Sequence, residues 1–164
     1  MMQSKAIVRA LVVACAALFL APAGASQAGQ AQGLTIEKLQ TWLGSYGTAW
    51  ETRSAKKAGK LFSADATYRE TPYDAPFAGR KAIQDYWSGV TKDQKDIKFT
   101  SEALSASGNT GIAHWHAEFV QLSNGAKVTL DGIFVMEFAE DGLCKTFQEW
   151  WHVKTEEAKA NAGN

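Results

Sequence analysis

Residues 110–153 read TGIAHWHAEFVQLSNGAKVTLDGIFVMEFAEDGLCKTFQEWWHV, and the alternation within them decides the fold. Three runs, Thr110 to Leu122, Lys127 to Ala139 and Leu143 to Val153, are broken by Asn124-Gly125 and Asp141-Gly142. Asn-Gly and Asp-Gly suit tight two-residue hairpins, because both central positions of that turn need positive φ. A fourth run, Ile97 to Ala106, comes before them across Gly108-Asn109. The pattern predicts an antiparallel meander of long strands.

Two-residue loops would also fix the register. Leu122 then faces Lys127, Trp115 faces Phe134, Ala117 faces Gly132 and Phe119 faces Leu130. On the next pair Phe134 faces Glu149, Gly132 faces Trp151 and Met136 faces Phe147. Strand side chains alternate, so all of these share one face, almost entirely apolar, that must pack against something. The other face carries His114, His116, Glu118, Asp131, Ile133, Val135, Trp150 and His152, with Asp131 opposite His152 and His116 opposite Ile133. A bulge in either strand would exchange the two faces.

Upstream the hydrophobic period changes. Ile36, Leu39, Leu43, Tyr46 and Trp50 recur at three- and four-residue steps, the stripe of an amphipathic helix. A shorter helix is expected from about Ala55 to Phe62, then a strand over Asp65 to Glu70 with Ala66, Tyr68 and Glu70 on one side. Pro72 and Pro76 interrupt regular structure before Gly79, and a third helix presents Ile83, Tyr86, Trp87 and Val90. Helices followed by a long-stranded antiparallel sheet imply an α+β domain with the helices against one face. Curved around the long helix, such a sheet encloses a cavity.

The start of the chain reads differently. Lys5 and Arg9 precede an apolar stretch from Ala10 to Ala21, and Ala23-Gly24-Ala25 offers small residues for cleavage before Ser26. The stretch is shorter than the ~20 residues of a spanning helix. Val12-Val13-Ala14-Cys15 loosely resembles a lipobox but would leave few apolar residues before the cysteine. The expected organisation is an export signal over 1–25, a Gln/Gly/Ala linker over 26–33, one domain over 34–154 and a flexible tail over 155–164, working in the periplasm or outside the cell. Lys5 and Arg9 are two of the 17 basic residues and the signal holds no acidic one, so 15 basic side chains then face 17 acidic ones. That balance, with no basic run, argues against nucleic acid or a membrane surface as partner. Cys144 would be the one remaining cysteine, which leaves no internal disulfide and suits a small buried residue.

Tyr68-x-Glu70-x-Pro72-Tyr73-x-x-Pro76-x-x-Gly79-x-x-Ala82-Ile83-x-x-Tyr86-Trp87 resembles the central motif of SnoaL-like proteins of the nuclear-transport-factor-2-like superfamily. Leu130-Asp131-Gly132-Ile133-Phe134 and Asp141-Gly142-Leu143-Cys144, running to Glu149-Trp150-Trp151-His152, are similar to the closing strands of the same group. The resemblance spans about Ile36 to Val153. It implies a cone-shaped fold, three N-terminal helices packed on a curved antiparallel sheet, with a cavity open at one end and commonly a dimer through the sheet. That superfamily holds isomerases, cyclases, dehydratases, ligand-binding proteins and assembly domains, so the fold does not fix the activity.

Glu149 is the conspicuous residue of the apolar face. A carboxyl there needs a partner or a raised pKa, and a raised pKa suits acid/base work near neutrality. Its structural alternative is a buried glutamate satisfied by Arg69, Arg80, a Trp indole or a Tyr hydroxyl. Glu70, before the Pro-bounded loop, is the second candidate, with Tyr68 or Tyr46 as hydroxyl donor to a developing oxyanion. Tyr46, Trp50, Trp87, Trp115 and Trp151 are candidate ligand-stacking surfaces, or plain core. On the other face Asp131 and His152 form the runner-up acid/base pair, and His114, His116 and His152 are the residues a metal would need; subunit interface is the favoured reading of that face. Neither a phosphate loop, nor a Ser-His-Asp order, nor CxxC is present, so no cofactor and no metal are expected. Two functions stay open: cofactor-free proton transfer of isomerase, cyclase or lyase type on a small hydrophobic or aromatic ligand, and non-catalytic binding or protein interaction through a dimeric sheet face.

Overall fold

Helix α1 (Ile36–Glu51) starts at Thr35, whose hydroxyl accepts the Lys38 N–H at 3.2 Å and satisfies one of the free donors of the first turn. The structure, a computed structural model, describes residues 33–158; the expected export signal lies outside the described residues, as does the linker apart from Gly33. The stripe of α1 buries Leu39, Trp42, Leu43, Tyr46, Ala49 and Trp50, whereas Ile36 at its start is exposed. Helix α2 (Ala55–Gly59) is capped by Ser54, and its helical turns end before Phe62, which begins strand β1 (Phe62–Arg69). A two-residue strand β2 (Phe77–Ala78) and helix α3 (Arg80–Val90) follow, then a 3₁₀ turn over Thr91–Asp93. The meander is β3 (Gln94–Ser107), β4 (Thr110–Gln121), β5 (Lys127–Phe138) and β6 (Cys144–Glu156).

One six-stranded sheet runs in the order β2-β1-β6-β5-β4-β3. The long strands pair antiparallel, and β1 joins β6 in parallel. Helix α1 lies on β3, and α3 on β1. This is the expected α+β arrangement of N-terminal helices packed on a curved, largely antiparallel sheet. Two bulges help curve it, because β3 inserts an extra residue between Lys95 and Lys98 and another between Ala103 and Ser105. Asp96 takes φ 53° in the first of these.

The turns depart from expectation in an informative way. The tight two-residue hairpin is Gly108-Asn109, which closes Ser107 on Thr110 with Gly108 at φ 60°. Asn124-Gly125 instead ends a four-residue loop, in which Gln121 N–H donates to the Ala126 carbonyl at 2.9 Å. Asp93 holds that loop open, accepting from the Ser123 N–H at 2.8 Å and the Ser123 hydroxyl at 2.6 Å. The β4–β5 register is therefore two residues from the expected one. Trp115 faces Gly132, Ala117 faces Leu130, Phe119 faces Val128 and His116 faces Asp131. An even shift leaves every side chain on its expected face.

At the last hairpin two departures cancel. The loop holds three residues, Glu140 to Gly142, and β6 carries an extra residue at Lys145, so Phe134 still faces Glu149, Gly132 Trp151 and Met136 Phe147. The concave face and the helices share a core of Leu39, Leu43, Phe62, Ile83, Phe134 and Phe147, all fully buried. Each such aliphatic or aromatic side chain contributes roughly 2 kcal/mol by leaving water.

Candidate functional site

Strand β6 turns Phe147, Glu149 and Trp151 inward, so the alternation that builds the core also delivers one carboxyl to it. Glu149 is 6% exposed. Across the parallel pair, Tyr68 of β1 donates its hydroxyl to Glu149 Oε1 at 2.9 Å. With that proton committed, Tyr46 of α1 donates to the Tyr68 oxygen at 3.1 Å, which completes a chain Tyr46–Tyr68–Glu149. Phe147 holds the chain in place, with its ring centroid 4.5 Å from that of Tyr68 and 5.6 Å from that of Tyr46. The two arginines that could have neutralised the carboxyl are used elsewhere. Arg69 donates to the Asp74 carbonyl at 2.6 Å and Arg80 to that of Phe62 at 2.9 Å.

The electrostatics follow from this geometry. Burial pushes the Glu149 carboxyl up to about 8; the Tyr68 hydroxyl draws it part of the way back, and Glu70 pushes it up further. Tyr46 and Tyr68 are both raised well above the ordinary phenol value, first by burial and then by Glu149. Tyr86 is raised too, by burial and then by Glu149 and Glu70. All three phenols therefore remain donors while Glu149 titrates near neutral pH.

Glu149 opens on a cavity of about 320 Å³. All five aromatic residues expected as stacking surfaces, Tyr46, Trp50, Trp87, Trp115 and Trp151, line it together with Tyr68 and Glu70. Tyr86 and Gln94 also line it, and both were missed as site residues. Tyr86 carried a signal, being beside Trp87 on the α3 stripe, whereas Gln94 carried none. Its role is visible in space: it accepts the Trp50 indole N–H at 2.8 Å. The indole N–H groups of Trp87 and Trp115 are buried without a hydrogen-bond partner among the described residues. Gly132 makes room for one of them, since a Cβ there would stand 3.0 Å from Trp115 Nε1 and collide with the Trp150 carbonyl. The aliphatic wall comes from Val90, Val128, Leu130 and Val153.

The outer face arranges its charges differently from expectation. Asp131 and His152 are opposite in register, yet the carboxylate turns to β4, meeting His114 Nε2 at 3.1 Å and His116 Nδ1 at 3.4 Å. Asp131 is held below its ordinary pKa chiefly by His114. The Asp131–His152 pair is thus not formed; the carboxylate bonds instead to the directly facing His116 and to His114, two residues along the same strand. Among the described residues no group of three or more His, Cys, Asp or Glu side chains is placed to hold a metal ion. A groove of about 530 Å³ crosses this face between Tyr73, Ile133 and Trp150, sharing Glu70, Glu149 and Trp151 with the inner cavity. Among the described residues no helix is long and apolar enough to cross a membrane.

Comparison with known proteins places these features in a group. A family model described as SnoaL-like domain matches residues 44–146. No curated protein matches the chain. Among solved structures, one of a putative isomerase from Bacillus subtilis is 21% identical, with TM-score 0.60 over 71% of this chain and 87% of that one. An epoxide hydrolase/cyclase-like enzyme of pyran ring formation in the polyether salinomycin is 15% identical, with TM-score 0.64 over 73% of this chain and 97% of its own. A hypothetical protein with a ketosteroid isomerase-like fold from Catenulispora acidiphila, in complex with trimethylamine, is 16% identical, with TM-score 0.60 over 71% and 86%. These likenesses establish a shared fold.

Proposed function

The chain belongs to the SnoaL-like domain family, and from that premise we propose that it binds a small, largely apolar molecule in the cone and moves a proton on it with Glu149. One observation carries this: a buried carboxyl with a pKa of about 8, on a two-tyrosine hydrogen-bond chain, opens into an aromatic cavity. Near pH 7 such a group is mostly protonated and is an acid; its conjugate base is within easy reach, which is the balance proton transfer needs. Tyr68 supplies a hydroxyl that steadies negative charge, on Glu149 or on a ligand oxygen. The isomerase- and cyclase-type names among the structural neighbours support this class of chemistry. No cofactor is invoked.

The test is deuterium incorporation next to the carbonyl of a panel of small cyclic ketones in heavy water, read by mass spectrometry. Exchange above the Glu149→Gln background, with an inflection near pH 8, supports proton transfer; exchange equal to that background leaves a binding protein. We further infer export, with cleavage before Ser26, and a dimer through the outer sheet face. An intact mass of the mature protein starting elsewhere would count against the first. A monomer in sedimentation at tens of micromolar, or an oligomer untouched by Ile133→Glu, would count against the second.

A further inference from the structure

The cavity wall has a one-sided charge. Glu149 and Glu70 both face it, and among the described residues no lysine, arginine or histidine lines it. Neither carboxyl is in an ion pair among the described residues, and Arg69, beside Glu70, and Arg80, at the start of α3, are turned to backbone carbonyls. Among the described residues Tyr68 alone donates to Glu149, and only to Oε1. The rest of the polar wall is largely aromatic, including Trp50, Trp87, Trp115 and Trp151. Ring faces carry negative potential and attract organic cations most strongly where water is excluded. An anionic ligand would meet two acids and no donor cation. A purely neutral ligand brings no positive charge to balance Glu149 when that buried carboxyl ionises.

We propose that the cavity takes a small organic ammonium ion, its head group among the tryptophan and tyrosine rings and its charge facing Glu149 and Glu70. This rests on the reading of the cone as a ligand site with Glu149 as its working group. A volume of about 320 Å³ accommodates a trialkylammonium head with a short apolar tail. From the cavity side the groups that face Glu149 are Tyr68 and Glu70 from β1 and its end, Tyr46 from α1 and Tyr86 from α3, none of them cationic; the outer groove that Glu149 also lines adds His114 from β4, bonded to Asp131 from β5, and His152 from β6. A bound cation therefore favours the ionised carboxyl, and binding expels a proton while Glu149 is still protonated.

Titration calorimetry of the whole mature protein with choline, with its tert-butyl analogue (carbon in place of nitrogen) and with indole tests this. Choline should bind roughly tenfold or more tighter than the uncharged analogue. Its affinity should rise between about pH 6 and about pH 9 with proton release, while that of the analogue does not. In Glu149→Gln combined with Glu70→Gln the preference should collapse; Glu70→Gln alone, on a half-exposed residue, should reduce it if the double variant does not fold. If indole binds but choline and its analogue bind alike, the ammonium assignment falls and the pocket stands. If none of the three binds, both fall. A preference unchanged in the glutamine variants also overturns the assignment.

Discussion

Replacing Glu149 by Gln should flatten the pH dependence of stability. In the folded chain burial holds this carboxyl at about 8 against an ordinary 4.5. Between those values the native state binds more protons than the unfolded chain, so stability falls as pH rises. The contribution is whole below about pH 4.5 and lost by about pH 8. At about 1.4 kcal/mol for each pH unit, the full window is worth at most about 5 kcal/mol, of which about 3–4 kcal/mol lies between pH 5 and pH 8. Glutamine keeps the shape and still accepts the Tyr68 hydroxyl at Oε1, but it does not ionise. Urea unfolding followed by tryptophan emission at several pH values across this window, on both proteins, measures the difference. The wild type should lose stability steeply with rising pH and the variant should not. Parallel curves, or a wild type that gains stability toward pH 8, would refute the reasoning, because the buried carboxyl would then not be the group that titrates.

Other outcomes follow from the same contacts. Tyr68→Phe removes the one donor to Glu149 among the described residues, a donor that lowers its pKa, so the carboxyl should titrate higher; carbon-detected NMR of the labelled glutamate carboxyl reads this, and a downward move would contradict it. Gly132→Ala puts a methyl group against the Trp150 carbonyl and within 2.8 Å of Trp151 Cβ. It should destabilise by about 1–3 kcal/mol and lower the melting temperature by several degrees, and an unchanged melt would show that the strand yields freely. Cys144 is fully buried and burial raises its thiol pKa, so iodoacetamide should label it only after unfolding; rapid labelling of native protein would place the thiol elsewhere.

Local pattern carried much of the architecture. The three- and four-residue spacing of Leu39, Leu43, Tyr46 and Trp50 makes one apolar helix face, and strand alternation put Glu149 inward and Asp131 outward. Both follow from backbone geometry, which is the same wherever the chain goes. The inward set survived a two-residue error at Asn124-Gly125 because an even slip preserves parity. What the turns do was not local. Asp93, about 30 residues upstream, opens the Asn124-Gly125 loop through Ser123, and the extra residue at Lys145 compensates a longer last loop.

The site divides in the same way. Sequence alone determined that a carboxyl shares a face with aromatic residues, that Tyr68 and Glu70 lie on one edge of a strand, and that an amphipathic helix must cover them. Only tertiary structure decided which partner Glu149 takes. Tyr68 reaches it because β1 joins β6 in parallel, a pairing between segments some 80 residues apart that no short-range signal specifies. It likewise decided that Arg69 and Arg80 turn away, that Gln94 meets Trp50, and that Asp131 chooses His114 over His152. Alternation tells a side chain which way to face; which group it meets depends on where the other strands and helices come to rest.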